Sequence, residues 1–373
     1  MKMEIIKLDP DNPQVEKIKR AAEILDRGGF VAFPTETVYG IASRVTHDSI
    51  MDLSNIKSRQ TQKFYTLHIG QKSDLFKYVP KISLRACKLV NKAWPGPLTI
   101  VFQLTDEQVE TQRHKLDKQV FEHLYNHNTI GVRYPDNRVA SILLQLTKNA
   151  VVAPSANLSG ELPAVTPQQV TMNFSDRIDM LLDAGPCKYQ KSSTVVKVTD
   201  DNLEILRKGA YTLEQLRELS TIQVLFVCSG NTCRSPMAEG IFKKLLAEKK
   251  GCKLDELEQK GYKILSAGTM GIESFPASPE AVEVCRNRGV DIANHKSQGL
   301  SEEIIHNSDI IYTMSRSHIQ RIIGLYPDAM EKCRLLTGSG DIQDPIGQSV
   351  QVYRLCADQI EKAVNNRISE LIK

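Results

Sequence analysis

No stretch of the 373 residues approaches the roughly 20 consecutive apolar residues that a membrane-spanning helix needs, so no membrane span is expected. The opening Met-Lys-Met-Glu-Ile-Ile-Lys carries an acidic residue and no continuous apolar stretch, and does not read as a secretory signal. A soluble, cytosolic protein without a membrane partner is the expectation. Eight cysteines stand at 87, 187, 228, 233, 252, 285, 333 and 356 without a Cys-x-x-Cys pair or a Cys/His quartet at zinc spacing. A zinc ribbon is therefore excluded, and most of these residues read as small buried apolar groups. There is no internal repeat, no low-complexity tract, no Walker loop and no Gly-x-Gly-x-x-Gly, which removes solenoids, P-loop NTPases and dinucleotide folds. In residues 1–220 the RNP and Gly-x-x-Gly motifs of RNA-binding modules are missing as well.

What is present suits two globular domains: the length exceeds the roughly 100–200 residues of a single domain, with 41% hydrophobic and 25% charged residues. Residues 1–220 hold 29 Lys+Arg and 25 Asp+Glu, and residues 221–373 hold 19 of each, so the whole surplus of +4 lies in the first part. That surplus suits a polyanionic ligand but is too small to indicate nucleic acid. A strand–helix rhythm restarts near residue 222, placing a boundary at about 220 and domains at 1–220 and 221–373. In the first part a helix is expected over 15–27, closed by Gly28-Gly29. Strands are expected at 30–33, 98–103, 129–133, 150–153 and 193–198, with a further strand-like stretch at 65–69. In the second, a buried strand over 223–228 runs through a loop into a helix over 235–248. Further strands fit 262–266, 309–314 and 334–336, and a closing helix fits 350–372. Both parts are therefore α/β.

The second part carries Val227-Cys-Ser-Gly-Asn-Thr-Cys-Arg-Ser-Pro between that strand and helix. Ser235 and Pro236 fit a helix N-terminus, whose unpaired N–H groups and positive dipole end face the loop. Gly230 is expected to let the backbone close around a phosphate-sized anion. Cys228 supplies a thiolate nucleophile, and the loop N–H groups, the dipole and Arg234 favour negative charge on it. Arg234 matches two phosphoryl oxygens bidentately, and Ser235 can donate to the sulfur. Phosphoryl transfer also needs an acid for the leaving group. Asp344, stiffened by Pro345, fits best, with Asp341 as its rival.

Cys-x5-Arg-Ser with a distant Asp-Pro resembles the low-molecular-weight protein tyrosine phosphatases, over essentially all of 221–373. The resemblance implies a parallel sheet flanked by helices, with Cys228 as nucleophile, Arg234 as phosphate clamp and Asp344 as acid. Ser229, Gly230, Asn231, Thr232, Cys233 and Ser235 complete the phosphate loop, with Asn231 stabilising it and no cofactor needed. It also suggests a reversible disulfide between Cys228 and Cys233, beside the plainer reading of Cys233 as a wall of the loop. Thr232 stands where phosphotyrosine enzymes carry an aliphatic residue, and Ile346-Gly347 where they carry aromatics. The loop Gly-Asn-Thr-Cys-Arg-Ser is similar to that of bacterial protein arginine phosphatases, which favours a phosphoarginine protein substrate over phosphotyrosine. Arsenate reductases share the fold, but Ile311-Tyr-Thr-Met-Ser-Arg-Ser-His lacks the extra cysteines they use.

The first part sets polar motifs at strand ends: Pro34-Thr-Glu-Thr-Val-Tyr-Gly, Lys57-Ser-Arg-Gln-Thr-Gln-Lys63, Trp94-Pro-Gly-Pro, Arg133-Tyr-Pro, Ala153-Pro-Ser-Ala-Asn, Ser192-Ser-Thr and Arg207. Basic and hydroxyl groups so placed suit an anion in a cleft. Together these motifs resemble the threonylcarbamoyl-adenylate synthase (YrdC-like) family, from about residue 5 to 215. The resemblance implies a twisted mixed sheet with flanking helices, and a reaction joining L-threonine, bicarbonate and ATP with release of pyrophosphate. Lys57, Arg59, Lys63, Thr129, Ser155, Asn157 and Arg207 would bind ATP, with Mg2+ bridging its phosphates. Thr35, His68, Arg133 and Ser193 would bind threonine, Arg133 facing its carboxylate. Partners would be downstream tRNA-modification proteins. Gln60-Thr-Gln-Lys-Phe-Tyr-Thr-Leu-His departs from the Pro and Pro-Leu usual after Lys-x-Arg. Two alternatives stand beside this bifunctional reading: an RNA-binding first domain joined to a phosphotyrosine phosphatase, and a phosphatase half acting only as a phosphate sensor.

Overall fold

The computed structural model describes residues 2–58, 64–199 and 202–371. The chain divides into two compact units, Met1–Ser220 and Thr221–Lys373.

In the first unit the strands are β1 Glu4–Lys7, β2 Val31–Phe33, β3 Gly40–Arg44, β4 Leu67–His68, β5 Leu98–Gln103 and β6 Tyr125–Asn126. They continue with β7 Thr129–Arg133, β8 Val151–Val152, β9 Met180–Asp183, β10 Thr194–Val198 and β11 Leu203–Arg207. They form one mixed sheet in the order β1-β9-β2-β3-β8-β4-β7-β5-β10-β11, with β6 paired to β7. β1, β9 and β2 run parallel, β2 and β3 antiparallel.

Side chains of successive residues leave a strand on opposite faces, and this alternation divides the apolar residues between two cores. Val31, Phe33, Ala42, Val151, Met180 and Leu182 join one core, which helices Val15–Asp26 and Arg138–Leu146 cover with Ile18, Leu25, Val139 and Leu143. Ala32, Ile41, Val152 and Leu181 turn the other way, into a larger core with Trp94, Ile100 and Val132. β1, β3, β9 and β11 were not anticipated. Each is only four or five residues long, too short for a periodicity to declare itself, and each is defined by its partner strand rather than by its own composition.

The second unit adds β12 Ile222–Cys228, β13 Tyr262–Gly268, β14 Ile310–Thr313 and β15 Cys333–Leu335, all parallel, in the order β13-β12-β14-β15. β12 is buried along its whole length, as expected of a central parallel strand covered on both faces. Leu225 and Val227 face Ile305, Ile311 and Ile322, while Phe226 turns toward Phe242 and Tyr312, at ring separations of 5.3 and 5.7 Å. Helix Arg234–Lys250 follows β12 and stops at Gly251, whose φ of +59° is the left-handed conformation that ends helices. Among the described residues no helix is long and apolar enough to cross a membrane.

Candidate active sites

In the second unit, residues 229–233 link the end of β12 to the start of helix Arg234–Lys250. The loop turns at Asn231, not at Gly230: Asn231 has φ +56°, whereas Gly230 is not left-handed, and a Cβ there would meet only ordinary contacts at 3.5 and 3.6 Å. The glycine that the loop requires is Gly268, at the end of β13. A Cβ on it would lie 2.7 Å from the Ser229 carbonyl oxygen and 3.0 Å from Asn231 N. Sequence reasoning missed it, because it lies more than thirty residues from the loop it supports.

Asn231 is held in its left-handed conformation from every side. Its Nδ2 donates to Ser235 Oγ and Ser266 Oγ, both at 2.9 Å, and its Oδ1 accepts from Gln298 N at 2.9 Å. Its carbonyl accepts from His295 Nε2 at 2.7 Å. Ser266 gives its own proton to Glu239 Oε2 at 2.6 Å. Ser235 Oγ, which accepts from Asn231, lies 3.0 Å from Cys228 Sγ and 3.5 Å from the Ala267 carbonyl, so its proton is available to a thiolate at the shorter distance. Asn231 N donates to the same sulfur at 3.3 Å. Negative charge on Cys228 therefore meets two fixed donors at the end of a helix.

Arg234 is buried. Its Nη1 donates to the Ile342 carbonyl at 3.0 Å, and its Nη2 reaches both Ser229 Oγ, at 3.2 Å, and Asp344 Oδ2. Its Nε is buried with no partner among the described residues, a donor facing nothing of the protein's own. Asp344 is partly exposed, so its carboxyl group is shared between solvent and the guanidinium. Asp341 is engaged elsewhere, its Oδ1 accepting Arg316 N at 3.0 Å where helix Arg316–Leu325 begins. Cys233 is a buried free thiol whose Sγ lies 3.3 Å from Tyr353 Oη and 3.5 Å from Ser278 Oγ. Thr232 presents its carbonyl to Ser278 N at 2.8 Å. Sequence reasoning assigned no role to His318. It is buried on helix Arg316–Leu325, within 3.0 Å of Ser229 Oγ through Nε2, and its pKa is pushed down to about 4 by burial and by Arg234.

In the first unit an open cleft is lined by Thr35, His68, Arg133, Ser155, Ser193 and Arg207, with Phe64, Tyr65 and Thr66 beside them. Thr35 lies in the turn between β2 and β3. Its Oγ1 donates to the Val38 carbonyl at 2.7 Å and accepts from Thr37 N and Val38 N, both at 3.2 Å, which fixes the turn from within. Arg133 ends β7 in a buried ion pair with Glu36 Oε1 at 2.9 Å, and its Nη2 also donates to Thr37 Oγ1 at 2.6 Å. Glu36 and Thr37 were not among the anticipated residues, although they flank Thr35. Arg133 Nε is buried without a partner among the described residues.

β4 runs parallel to β7, which sets His68 beside Arg133. His68 Nδ1 donates to the Thr66 carbonyl at 3.1 Å, leaving an Nε2 lone pair, and burial followed by Arg133 holds its pKa down at about 3. Arg207 grips Ser193, Nη2 donating to its carbonyl and its Oγ, both at 2.9 Å. Gly209 makes this approach possible: a Cβ on it would fall 2.3 Å from Thr194 N.

Three expectations are corrected here. Lys57 does not reach into the cleft. Its buried Nζ donates to the carbonyls of Ser155 and, at 2.6 Å, Asn157, so it clamps the backbone behind the wall. Asn157 accepts from Ser155 Oγ at 2.5 Å and donates to the Leu158 and Glu161 carbonyls, which makes it part of the same wall. Thr129 stands outside the cleft, at the opposite end of β7 from Arg133 and about 13 Å along the strand at roughly 3.3 Å per residue. Arg59 and Lys63 lie outside the described residues.

Comparison with known proteins follows the same division. Residues 23–209 match the Sua5/YciO/YrdC family, described under telomere recombination, and residues 223–373 match the low molecular weight phosphotyrosine protein phosphatase family. The second unit is 34% identical over 157 residues to the protein-arginine-phosphatase of Bacillus subtilis, covering 41% of this chain and 98% of that one. The chain belongs to both families. In its first part it is 30% identical over 204 residues to the threonylcarbamoyl-AMP synthase of Pyrococcus abyssi. That match covers 54% of this chain and 57% of the relative, so the chain spans little more than half the length of that synthase. A solved P. abyssi Sua5 structure aligns with a TM-score of 0.50 at 21% identity, over 70% of this chain and 91% of that one, a likeness of fold.

Proposed function

We propose that the chain is a bifunctional enzyme, a threonylcarbamoyl-AMP synthase in its first unit and a cysteine-dependent protein phosphatase acting on phosphoarginine in its second. The observation that carries the second half is the convergence of Cys228 Sγ, its two donors and Arg234 on one loop. The sulfur attacks phosphorus as the bond to the leaving nitrogen breaks, and Asp344 gives that nitrogen its proton. Water then attacks the phosphocysteine with Asp344 as base, releasing phosphate and restoring the thiolate. The orphaned Arg234 Nε, with Nη2, matches two phosphoryl oxygens. The phosphoryl group competes with Asp344 for Nη2, and so frees the carboxyl for proton transfer. Thr232 favours phosphoarginine: it is shorter and more polar than the aliphatic residues that pack a phenyl ring.

For the first half, the supporting observation is that six residues from separate segments meet in one cleft. Threonine's carboxylate is met by Arg133 Nε, and its hydroxyl or ammonium group by the Nε2 lone pair of a neutral His68, with Thr35 and Ser193 alongside. Ser155 and Arg207, together with Arg59 and Lys63, serve the ATP phosphates. The described residues contain no cluster of three His, Cys, Asp or Glu side chains that could cage a metal. Mg2+ would arrive with ATP and shield its phosphate charge. Bicarbonate is the third substrate, and the activated product passes to tRNA-modification proteins in the cytoplasm.

The test is release of pyrophosphate from ATP that requires both threonine and bicarbonate. Binding of RNA without that release would favour an RNA-binding unit instead. For the second half, peptides bearing phosphoarginine or phosphotyrosine are compared in the wild type and in Thr232→Ile. The variant should move preference toward the aryl substrate by about tenfold; an unmoved ratio contradicts the assigned specificity.

A further inference from the structure

His318 is 5% exposed and lies between two hydroxyls, with Nε2 3.0 Å from Ser229 Oγ and Nδ1 2.8 Å from Ser315 Oγ. The directions of these hydrogen bonds follow from what each group can do. A guanidinium only donates, so Ser229 Oγ accepts from Arg234 Nη2. The arrangement that gives the Ser229 proton a partner among the described residues sends it to His318 Nε2, which then presents a lone pair. The ring proton therefore sits on Nδ1 and is given to Ser315 Oγ, whose own proton goes to Ser317 Oγ at 2.7 Å. A single chain of donors thus runs from the guanidinium into the start of helix Arg316–Leu325. Nothing in the phosphoryl-transfer chemistry above uses this chain.

We propose that His318 is a positioning residue: acting through the Ser229 hydroxyl, it fixes the plane of the Arg234 guanidinium so that Nε and Nη2 face the phosphoryl group together. Ile342 anchors Nη1 alone. Once the phosphoryl group has displaced Asp344 from Nη2, that one anchor leaves the plane free to swing, and the Ser229 contact supplies a second. The ring must stay neutral for this. Arg234 disfavours its protonation, while Asp344 and Asp341 pull the other way and are outweighed. A protonated ring would aim a second donor at Ser229 and break the chain.

The inference rests on the phosphatase reading of this loop, and its test keeps the two apart. In the full chain, His318→Asn can hold Ser315 but is too short to reach Ser229, whereas His318→Gln brings a carboxamide oxygen to the Ser229 hydroxyl. His318→Asn should raise the KM for an aryl phosphate and the dissociation constant for inorganic phosphate together, by about tenfold, with kcat changed less than about threefold. His318→Gln should recover most of that loss. Ser229→Ala should match His318→Asn, and the double variant should be no worse than either single one. Wild-type phosphate affinity in His318→Asn, or losses that multiply in the double variant, would overturn the proposal. Phosphate binding, read by calorimetry, decides the matter even if no substrate is turned over, an outcome that would count against the phosphatase reading alone. Should His318→Asn not fold, Ser229→Ala decides: the same weakening supports the proposal, and unchanged binding contradicts it.

Discussion

The phosphate loop of the second unit is written in eight consecutive residues, 228–235, whereas the cleft of the first unit is assembled from segments between Thr35 and Arg207. In the loop, the covalent chain itself holds nucleophile, amide donors and guanidinium close together, and side-chain hydrogen bonds only refine the geometry. In the cleft, proximity is created wholly by the sheet: the β2–β3 turn, β4, β7, β11 and the segments beside β8 and β10 each deliver one side chain. Each site nevertheless depends on one glycine far from its motif, Gly268 for the loop and Gly209 for the cleft.

That parallel yields the largest expected effect. Gly268→Ala drives a Cβ into Ser229 and Asn231 and should lower the phosphatase kcat/KM by about 10²-fold, as displacements near 1 Å do. Gly230→Ala should be tolerated, and Gly209→Ala should damage the threonine-dependent reaction alone. Steady-state kinetics of the three variants checks this. Equal sensitivity of Gly230 and Gly268 would return the turn to Gly230.

The second effect concerns stability. Arg133→Leu leaves Glu36 buried, with Asp136 N, at 3.1 Å, as the one remaining donor to its carboxylate among the described residues, and should cost about 3–5 kcal/mol. Denaturant unfolding of the first unit's transition measures it. No comparable loss is expected from Asp344→Asn, because Asp344 is partly open to solvent.

The smallest effect is a pH dependence. His68 is held at about 3 against an ordinary 6.5, so between these values the unfolded chain binds a proton that the folded one refuses. Its neutral form therefore adds no penalty above about pH 6.5, and stability falls as the pH drops below it, by roughly 2 kcal/mol at pH 5. His318, at about 4, acts in the same direction. Thermal midpoints followed from pH 7.5 to 5 should fall less steeply in His68→Gln; an unchanged slope would contradict this.

These differences also explain what could be read in advance. The strand–loop–helix around Cys228 was legible because a continuous apolar run, a turn and a Ser-Pro helix start all lie within twenty residues. Thr35, His68, Arg133, Ser155, Ser193 and Arg207 could be named from ordered motifs, but not the wall that unites them. Lys57 illustrates the limit: a lysine beside an arginine reads as a phosphate ligand, and only the fold turns its ammonium back onto two carbonyls. His318 and Gly268 escaped because each acts on the loop from another strand or helix, with no local pattern to mark it. Asn231 was named as stabilising the loop, but its left-handed turn was not legible, because asparagine holds that turn by hydrogen bonds that come from distant residues.

The most direct test measures both reactions on single preparations of the full chain carrying Cys228→Ser or Arg133→Gln. Two separate sites predict a crossover: Cys228→Ser abolishes phosphoarginine hydrolysis and leaves threonine-dependent pyrophosphate release in place, while Arg133→Gln does the reverse. One substitution silencing both reactions, or neither substitution silencing its own, would contradict the account.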